Sequence, residues 1–186
     1  VIEAFSPGMR GGRAVAELVL GRIEPSGRLP LSIPRHVGQQ PTYYNQVRGQ
    51  HGHRYADLTQ EPQFVFGEGL TYTTTTWSDL TLTSGDELTE ADTVAARVTI
   101  TNHGERPGHE VVQAYVHDVV TSVTWATKEL KAFRRVVVPP HGRVTVVLEV
   151  PVAACTVVDA VGRRVVEPGE FELLVGPSSR DSDLLR

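Results

Sequence analysis

The second half of the chain alternates apolar with polar side chains at a period of two. Successive side chains of a β-strand point to opposite faces, so this alternation predicts strands that bury one face and expose the other. Four segments show it clearly, and their apolar members are Val94, Ala96, Val98 and Ile100; Val112, Ala114 and Val116; Val144, Val146, Leu148 and Val150; and Phe171, Leu173 and Val175.

Residues that favour tight turns separate these predicted strands. They are the Asn-His-Gly run at 102–104, the Pro-Pro-His-Gly run at 139–142 and the Glu-Pro-Gly run at 167–169. Glycine, proline and asparagine supply the backbone dihedrals of turns. About seven short strands at such intervals predict a two-sheet sandwich of immunoglobulin or fibronectin type III architecture. The predicted fold class is therefore mostly β.

The first part of the chain follows a different pattern, which predicts a strand, a helix and a second strand. Residues 1–5, apolar except for Glu3, indicate the first strand, and residues 29–34 indicate the second. Between them a helix is expected over 9–20, with Ser6 as its N-cap, Pro7 as its first residue and Gly21 as its left-handed end. Its apolar stripe consists of Ala14, Val15, Leu18 and Val19, and the glycines at 11 and 12 would let its first turn approach a sheet.

These patterns divide the chain into three parts. Residues 1–38 resemble the end of an α/β layer, because one strand-helix-strand unit is too little to stand alone. Residues 39–70 have no clear periodicity and are rich in Gly, Gln, His, Tyr and Pro. We expect them to form an ordered linker that packs across domains through its aromatic side chains, and residues 71–186 to form the sandwich.

Composition argues against nucleic-acid binding, a membrane span and an internal disulfide. The 186 residues carry a formal net charge of −4, which gives no basic surface for nucleic acid or an anionic membrane. No apolar run approaches the roughly 20 residues of a membrane helix. The single Cys155 excludes an internal disulfide and slightly favours the cytoplasm, and it is expected to be a small buried apolar residue. The chain opens on Val1 with neither an initiator Met nor a signal peptide, so we expect a fragment whose natural start is missing.

Three blocks of residues resemble one family of enzymes. The first runs from Pro7-Gly8-Met9 to Pro25-Ser26-Gly27-Arg28-Leu29-Pro30. The second joins Arg54-Tyr55-Ala56-Asp57 to Phe66-Gly67-Glu68-Gly69-Leu70-Thr71-Tyr72-Thr73. The third comprises Glu110–Val116, Lys128–Phe133 and Glu167–Phe171. In this order they resemble the C-terminal portion of family-3 glycoside hydrolases of the β-glucosidase and β-xylosidase type. That portion contains the end of the α/β sandwich domain and a fibronectin type III-like domain.

The resemblance implies a parent enzyme that removes β-linked glucose or xylose with retention of configuration. In such enzymes the Asp nucleophile lies on an N-terminal barrel, and the acid/base Glu usually lies on a loop upstream of the helix that opens this chain. Neither position exists here, so the fragment alone is expected to be inactive and its sandwich to be structural. The expected partners are the remaining catalytic domains and the β-linked glycoside substrate of the parent. No cofactor is expected.

Few residues of the chain itself are candidates for catalysis. Retaining glycoside hydrolysis needs two carboxyl groups about 5–5.5 Å apart. Asp57 and Glu68 are the best candidates because aromatic residues surround them in the sequence. Asp57 is expected instead to accept hydrogen bonds from its loop or to pair with Arg54, and Glu68 to hold a turn at the junction. We therefore assign no catalytic residue.

Other candidate groups also have simpler explanations. His51 and His53, with His36 upstream, lack the tight spacing and the fourth ligand of a zinc site, so no metal site is expected. The serines at 26, 32, 178 and 179 lie in no nucleophile elbow. Trp77 and Trp125 could stack against sugars, but they are expected to serve as a core anchor and an interface residue.

One alternative stays open at the level of the sequence. The chain could be a stand-alone fibronectin type III-like module that binds a protein or a carbohydrate. The strand-helix-strand at its beginning argues against this, because a self-sufficient module would not carry part of an unfinished α/β sheet.

Overall fold

The computed structural model describes residues 1–47 and 56–186. One helix and eight strands make up its main elements. They are α1 (Gly11–Val19), β1 (Thr75–Leu82), β2 (Thr93–Asn102), β3 (Gly108–Asp118), β4 (Glu129–Val138), β5 (Arg143–Pro151), β6 (Val157–Val158), β7 (Arg164–Val165) and β8 (Phe171–Gly176). Short 3₁₀ turns lie at Val37–Gln39, Val152–Ala154 and Asp181–Asp183.

The strands form the predicted two-sheet sandwich. One sheet has the order β1-β2-β5 and the other the order β4-β3-β8, and every pairing is antiparallel. β6 and β7 make a small separate hairpin. The turn residues of the sequence fall between strands, with the 139–142 run joining β4 to β5. The mostly β fold class is therefore confirmed.

The sandwich core consists of the apolar sets that alternate along the strands. Val98 and Ile100 of β2 face Val112 and Ala114 of β3 across the two sheets, and all four are buried. Val146, Leu148 and Val150 of β5, Val175 of β8 and Cys155 complete the same cluster. Burial of each larger side chain contributes about 1.5–3 kcal/mol, so these alternating residues supply the main stabilisation of the fold.

Asn102 fixes one corner of the sandwich. Its side chain is 1% exposed and donates to the carbonyl oxygens of Arg106 (2.7 Å) and Val138 (3.1 Å). Its oxygen accepts from the backbone N–H of Gly104 at 2.9 Å and from the hydroxyl of Thr73. Because Val138 ends β4 of the opposite sheet, this one amide ties the two sheets together.

The N-terminal part differs from the strand-helix-strand prediction, because neither flanking strand forms. Residues 1–5 pair with no described strand, and Phe5 has a left-handed backbone (φ 45°) that an extended strand does not adopt. Residues 29–34 make only an isolated bridge between Ile33 and Phe64. Pro30 and Pro34 lack the N–H groups that a regular ladder needs.

The helix is also shorter than predicted at its start. It runs over Gly11–Val19 with Arg10 in the N-cap position, so Ser6 and Pro7 are not its cap and first residue. Gly8 has a left-handed φ of 69°, which prevents a helix from continuing through it. A Cβ at Gly11 would lie 2.6 Å from the ring of Pro7 rather than against a sheet, and one at Gly12 would meet no atom within 4 Å.

The end of the helix follows the prediction and is attached to the sandwich. Gly21 adopts the expected left-handed conformation (φ 67°). The guanidinium of Arg106 donates to the Gly21 carbonyl at 2.6 Å. The hydroxyl of Tyr72 donates to the Leu18 carbonyl. A cation at a helix C-terminus is favourable because the last carbonyl groups carry partial negative charge.

Replacement of Asn102 by alanine should strongly destabilise the chain. Asn102→Ala removes the partners of several buried polar groups, so we expect a loss of about 2–4 kcal/mol in the free energy of unfolding. Urea denaturation followed by circular dichroism measures it. Asn45 is exposed and provides the matched control, since Asn45→Ala should change stability by less than about 0.5 kcal/mol. A loss below about 1 kcal/mol for Asn102→Ala would contradict this role.

Amide hydrogen exchange should be fastest in the N-terminal part. In α1 the side chains of Val15 and Leu18 are only half-buried and Val19 is exposed, whereas Val146 and Val150 of β5 are buried in the core. Regions with few buried contacts open locally at low free energy. Exchange measured by mass spectrometry or NMR should show protection factors in α1 at least about tenfold smaller than in β5. Equal protection would show that residues 1–40 have a core of their own.

Candidate interdomain junction

A buried ion pair joins the N-terminal part to the sandwich. The Nη2 of Arg28 lies 2.8 Å from Oε2 of Glu110, and the two side chains are only 8% and 5% exposed. Arg28 also donates to the carbonyl of His109, and Oε1 of Glu110 accepts from the hydroxyl of Thr75 at 2.9 Å. Buried charges persist only when they are paired and hydrogen-bonded. These extra bonds satisfy both oxygens of Glu110 and the Nη2 of Arg28, whereas the Arg28 Nε is buried without a hydrogen-bond partner.

Backbone hydrogen bonds connect the segment after Arg28 to the end of the linker. The N–H of Leu29 donates to Glu68 at 2.9 Å, and that of Gly67 donates back to Leu29 at 2.8 Å. Further along, Ile33 donates to Phe64 at 2.8 Å. The two segments therefore lie side by side although the prolines prevent a regular strand.

Glu68 holds the turn of this junction, as the sequence predicted. Its carboxylate accepts from the backbone N–H of Val65 at 2.9 Å and pairs with Arg180 at 2.9 Å. Gly67 beside it has φ 79°, and a Cβ at this position would lie 2.1 Å from the side-chain oxygen of Gln113. Glycine is therefore required for the close approach of the turn to β3.

The outer face of β3 receives the linker through a buried polar and aromatic cluster. Gln113 donates to the carbonyl groups of Gly67 (3.1 Å) and Pro177, and the hydroxyl of Tyr115 donates to Gln113 at 2.7 Å. The ring of Tyr44 stacks on Phe66 with centroids 4.2 Å apart and meets Tyr115 edge-on at 5.9 Å. Burial raises the pKa of the Tyr115 phenol, and the neighbouring Tyr44 adds to the increase.

The C-terminal residues close this cluster from the other side. Leu184 packs against Tyr115 and Leu174, while Leu185 and Val175 exchange backbone hydrogen bonds of 2.9 and 3.0 Å. The N–H of Ser179 donates to the carbonyl of Phe66 at 3.0 Å. The linker is thus held between β3 and the end of the chain.

The structure places the two candidate carboxylates, Glu68 and Asp57, in different surroundings. Glu68 is tied into the junction, and Asp57 lies exposed on the linker. Arg54, its suggested partner, lies outside the described residues. Three of the serines that lie in no nucleophile elbow have structural contacts: Ser26 accepts from Arg135, Ser32 accepts from the N–H of Phe66, and Ser178 donates to Asp183.

The histidine prediction is tested only in part. His36 accepts from the N–H of Gly38 and caps the turn Val37–Gln39, whereas His51 and His53 lie outside the described residues. Within residues 1–47 and 56–186, no group of three His, Cys, Asp or Glu side chains could hold a metal ion.

Cys155 is a buried core residue, as predicted, and Trp77 is partly buried against the same core. Trp77 packs against the main cluster, and Cys155 is buried within it. Burial raises the pKa of the Cys155 thiol and so suppresses the reactive thiolate. Trp125 is partly buried, and its indole N–H donates to Glu129 at 3.0 Å.

The sequence analysis missed the ion pair and the role of Gln113. One signal was present, since Glu110 and Gln113 interrupt a strand that is otherwise apolar or aromatic between residues 110 and 116. Polar residues at buried strand positions need specific partners. Their partners, Arg28 and Gly67, are 82 and 46 positions away, so the pattern alone does not identify them.

Exposed apolar side chains are frequent in the N-terminal part. They belong to Val1, Ile2, Phe5, Met9, Val19, Leu20 and Ile23. Such a concentration over the first 23 residues is typical of a contact surface rather than of a free module. No helix among the described residues is long and apolar enough to cross a membrane.

Comparisons with known proteins identify two family domains in the chain. Residues 1–72 match the model of the glycosyl hydrolase family 3 C-terminal domain, and residues 110–179 match that of the fibronectin type III-like domain. The chain is 35% identical to the periplasmic β-glucosidase of Salmonella typhimurium, with 96% of this chain and 25% of that protein covered. It is 36% identical to a β-xylosidase of Formosa agariphila, with 99% of this chain and 26% of that protein covered.

Solved structures show the same relationship. A β-glucosidase of intestinal bacteria involved in saponin metabolism is 58% identical, with a TM-score of 0.91 over 96% of this chain and 24% of that one. The β-glucosidase of Listeria innocua in complex with gluconolactone is 34% identical, with a TM-score of 0.89 over 98% of this chain and 27% of that one. The chain thus spans about a quarter of the length of these relatives. It belongs to glycoside hydrolase family 3, and it corresponds to the C-terminal portion of that family's proteins.

Proposed function

We propose that this chain is the non-catalytic C-terminal part of a retaining β-glycosidase that acts on β-glucosides or β-xylosides. Its role is to brace the catalytic domains, which are its partners. The observation that carries this proposal is the buried ion pair between Arg28 and Glu110, which fixes the α/β segment on the sandwich. The names of the relatives, β-glucosidases and β-xylosidases, support the substrate class.

The structure favours bracing over a stand-alone binding module for a physical reason. The sandwich closes its own core, whereas the segment before Arg28 leaves large apolar side chains such as Phe5 and Met9 exposed. Covering those side chains with another domain would be favourable at about 25 cal/mol per Å² of apolar surface. The rigid junction would then hold the sandwich in one orientation to that domain.

We further propose that residues 1–38 belong to the α/β domain, residues 39–70 form a linker, and residues 71–186 form the sandwich domain. The aromatic contacts of Tyr44 and Phe66 with Tyr115 support the view that the linker packs across domains.

Activity should depend on the rest of the enzyme. The 186-residue chain alone should hydrolyse neither 4-nitrophenyl β-D-glucopyranoside nor 4-nitrophenyl β-D-xylopyranoside. Retaining hydrolysis needs a pair of suitably spaced carboxyl groups, and the sequence predicts no such pair in this chain. When the chain replaces the matching C-terminal quarter of the Salmonella typhimurium β-glucosidase, the chimera should hydrolyse the glucoside. The Salmonella protein without that quarter should not.

Two outcomes of this experiment would contradict the proposal. Turnover by the isolated chain that survives repurification and is lost on Glu68→Gln or Asp57→Asn would make the chain catalytic. Full activity of the shortened Salmonella protein would show that its C-terminal quarter does not brace the catalytic domains.

Breaking the buried ion pair should destabilise the junction. Glu110→Ala leaves the guanidinium of Arg28 buried without its counter-charge, so the free energy of unfolding should fall by about 3–5 kcal/mol. Urea denaturation of the full chain measures this loss. Glu149 lies exposed on the other sheet, so Glu149→Ala is the matched control and should have an effect below about 0.5 kcal/mol. Equal effects of the two variants would show that the pair does not hold the junction.

A further inference from the structure

A cleft of about 440 Å³ lies where the linker, the sandwich and the C-terminal residues meet. This volume is within the range of roughly 300–1,000 Å³ typical of small-molecule sites. Tyr43 comes from the linker, Lys128 precedes β4, and Glu172 belongs to β8. Three separate parts of the chain thus form one concave surface.

We propose that this cleft binds a neutral pyranoside, such as a β-glucoside or β-xyloside. The cleft is built entirely from side chains of this chain, whereas the choice of these two pyranosides as ligands rests on the proposed function. It would give the C-terminal portion a glycan contact of its own.

The charges of the cleft are balanced, which selects against ionic ligands. Three cationic side chains, Lys128, Arg180 and Arg186, lie among three carboxylates, Glu61, Glu172 and Asp181. Lys128 pairs with Asp181, and Arg186 lies 3.8 Å from Glu172. An anion or a cation would be attracted by half of these groups and repelled by the other half. A sugar hydroxyl both donates and accepts, so a neutral polyol can bond to both kinds of group.

Tyr43 supplies the apolar surface that a pyranose ring needs. Its side chain is 60% exposed and lines the cleft. The flat ring can lie against the C–H groups of a sugar while the hydroxyl groups face the charged wall. The neighbours of Tyr43 are fixed, since the Thr42 hydroxyl donates to Gln39 at 3.0 Å and the Tyr44 hydroxyl accepts from Leu130. This anchoring reduces the entropy lost when a ligand binds.

Part of the lining of the cleft is polar and buried. Lys128 is only 9% exposed at its side chain, and Ser32 and Ser179 are also buried. Buried polar groups beside an open cleft can bond to a ligand that replaces water there. The site therefore combines an exposed aromatic ring, paired charges and buried polar groups.

The experiment titrates the ¹⁵N-labelled full chain with methyl β-D-glucopyranoside and, separately, with methyl β-D-xylopyranoside. Saturable shifts should occur at the amides of Tyr43, Lys128 and Glu172, and the tighter of the two sugars identifies the preferred pyranoside. Tyr43→Ala should weaken binding at least about tenfold, whereas Tyr43→Phe should stay within about threefold because the ring is what contacts the sugar. Phe133→Ala removes an exposed aromatic ring on β4 outside the cleft and should leave binding unchanged.

Several results would overturn the inference. These are shifts that do not saturate, shifts that map away from the cleft, or equal binding by wild type and Tyr43→Ala. Methyl β-D-glucuronide serves as the anionic probe. If it bound about tenfold tighter than the glucoside, the cleft would be an anion site and the argument from balanced charge would be wrong.

Discussion

The structure depends on one constraint, which is that β3 must be covered on both faces. None of its eleven residues is exposed. One face, with Val112 and Ala114, packs into the sandwich core, as in any two-layer β fold. The other face, with Gln113 and Tyr115, would meet solvent in a free sandwich. Here the linker and the C-terminal residues cover it, so the domain has a partial third layer.

That third layer explains why the linker has a fixed path without regular secondary structure. Backbone groups in an irregular segment still need partners, and the described linker finds them in side chains and in residues 29–33. Gly67 permits the closest approach to Gln113, while Glu68 connects the turn to Arg180 near the C-terminus. The Arg28–Glu110 pair then extends this attachment to the N-terminal part of the chain.

The two ends of the junction differ in how completely they are buried. The sandwich side is closed, whereas α1 is attached mainly through its last carbonyl groups, to Arg106 and Tyr72. The side chain of Val19 in the helix remains exposed, and that of Met9, just before the helix, is fully exposed. A helix held only at one end relies on further packing for most of its stability. This difference underlies the proposal that the N-terminal part contacts another domain.

The sequence by itself determined the sandwich, because a period of two places apolar residues such as Val98 and Val146 on one face whatever the register of the strands. It also determined the end of the helix at Gly21, since left-handed backbone is a local property of glycine. Only the tertiary structure decided which residues contact each other at the junction. Arg28 and Glu110 meet across 82 positions, and the predicted N-terminal strands were wrong because Phe5 turns the chain and no described strand pairs with it. Pairing is a non-local property, so local pattern predicts which residues can be buried but not which partners bury them.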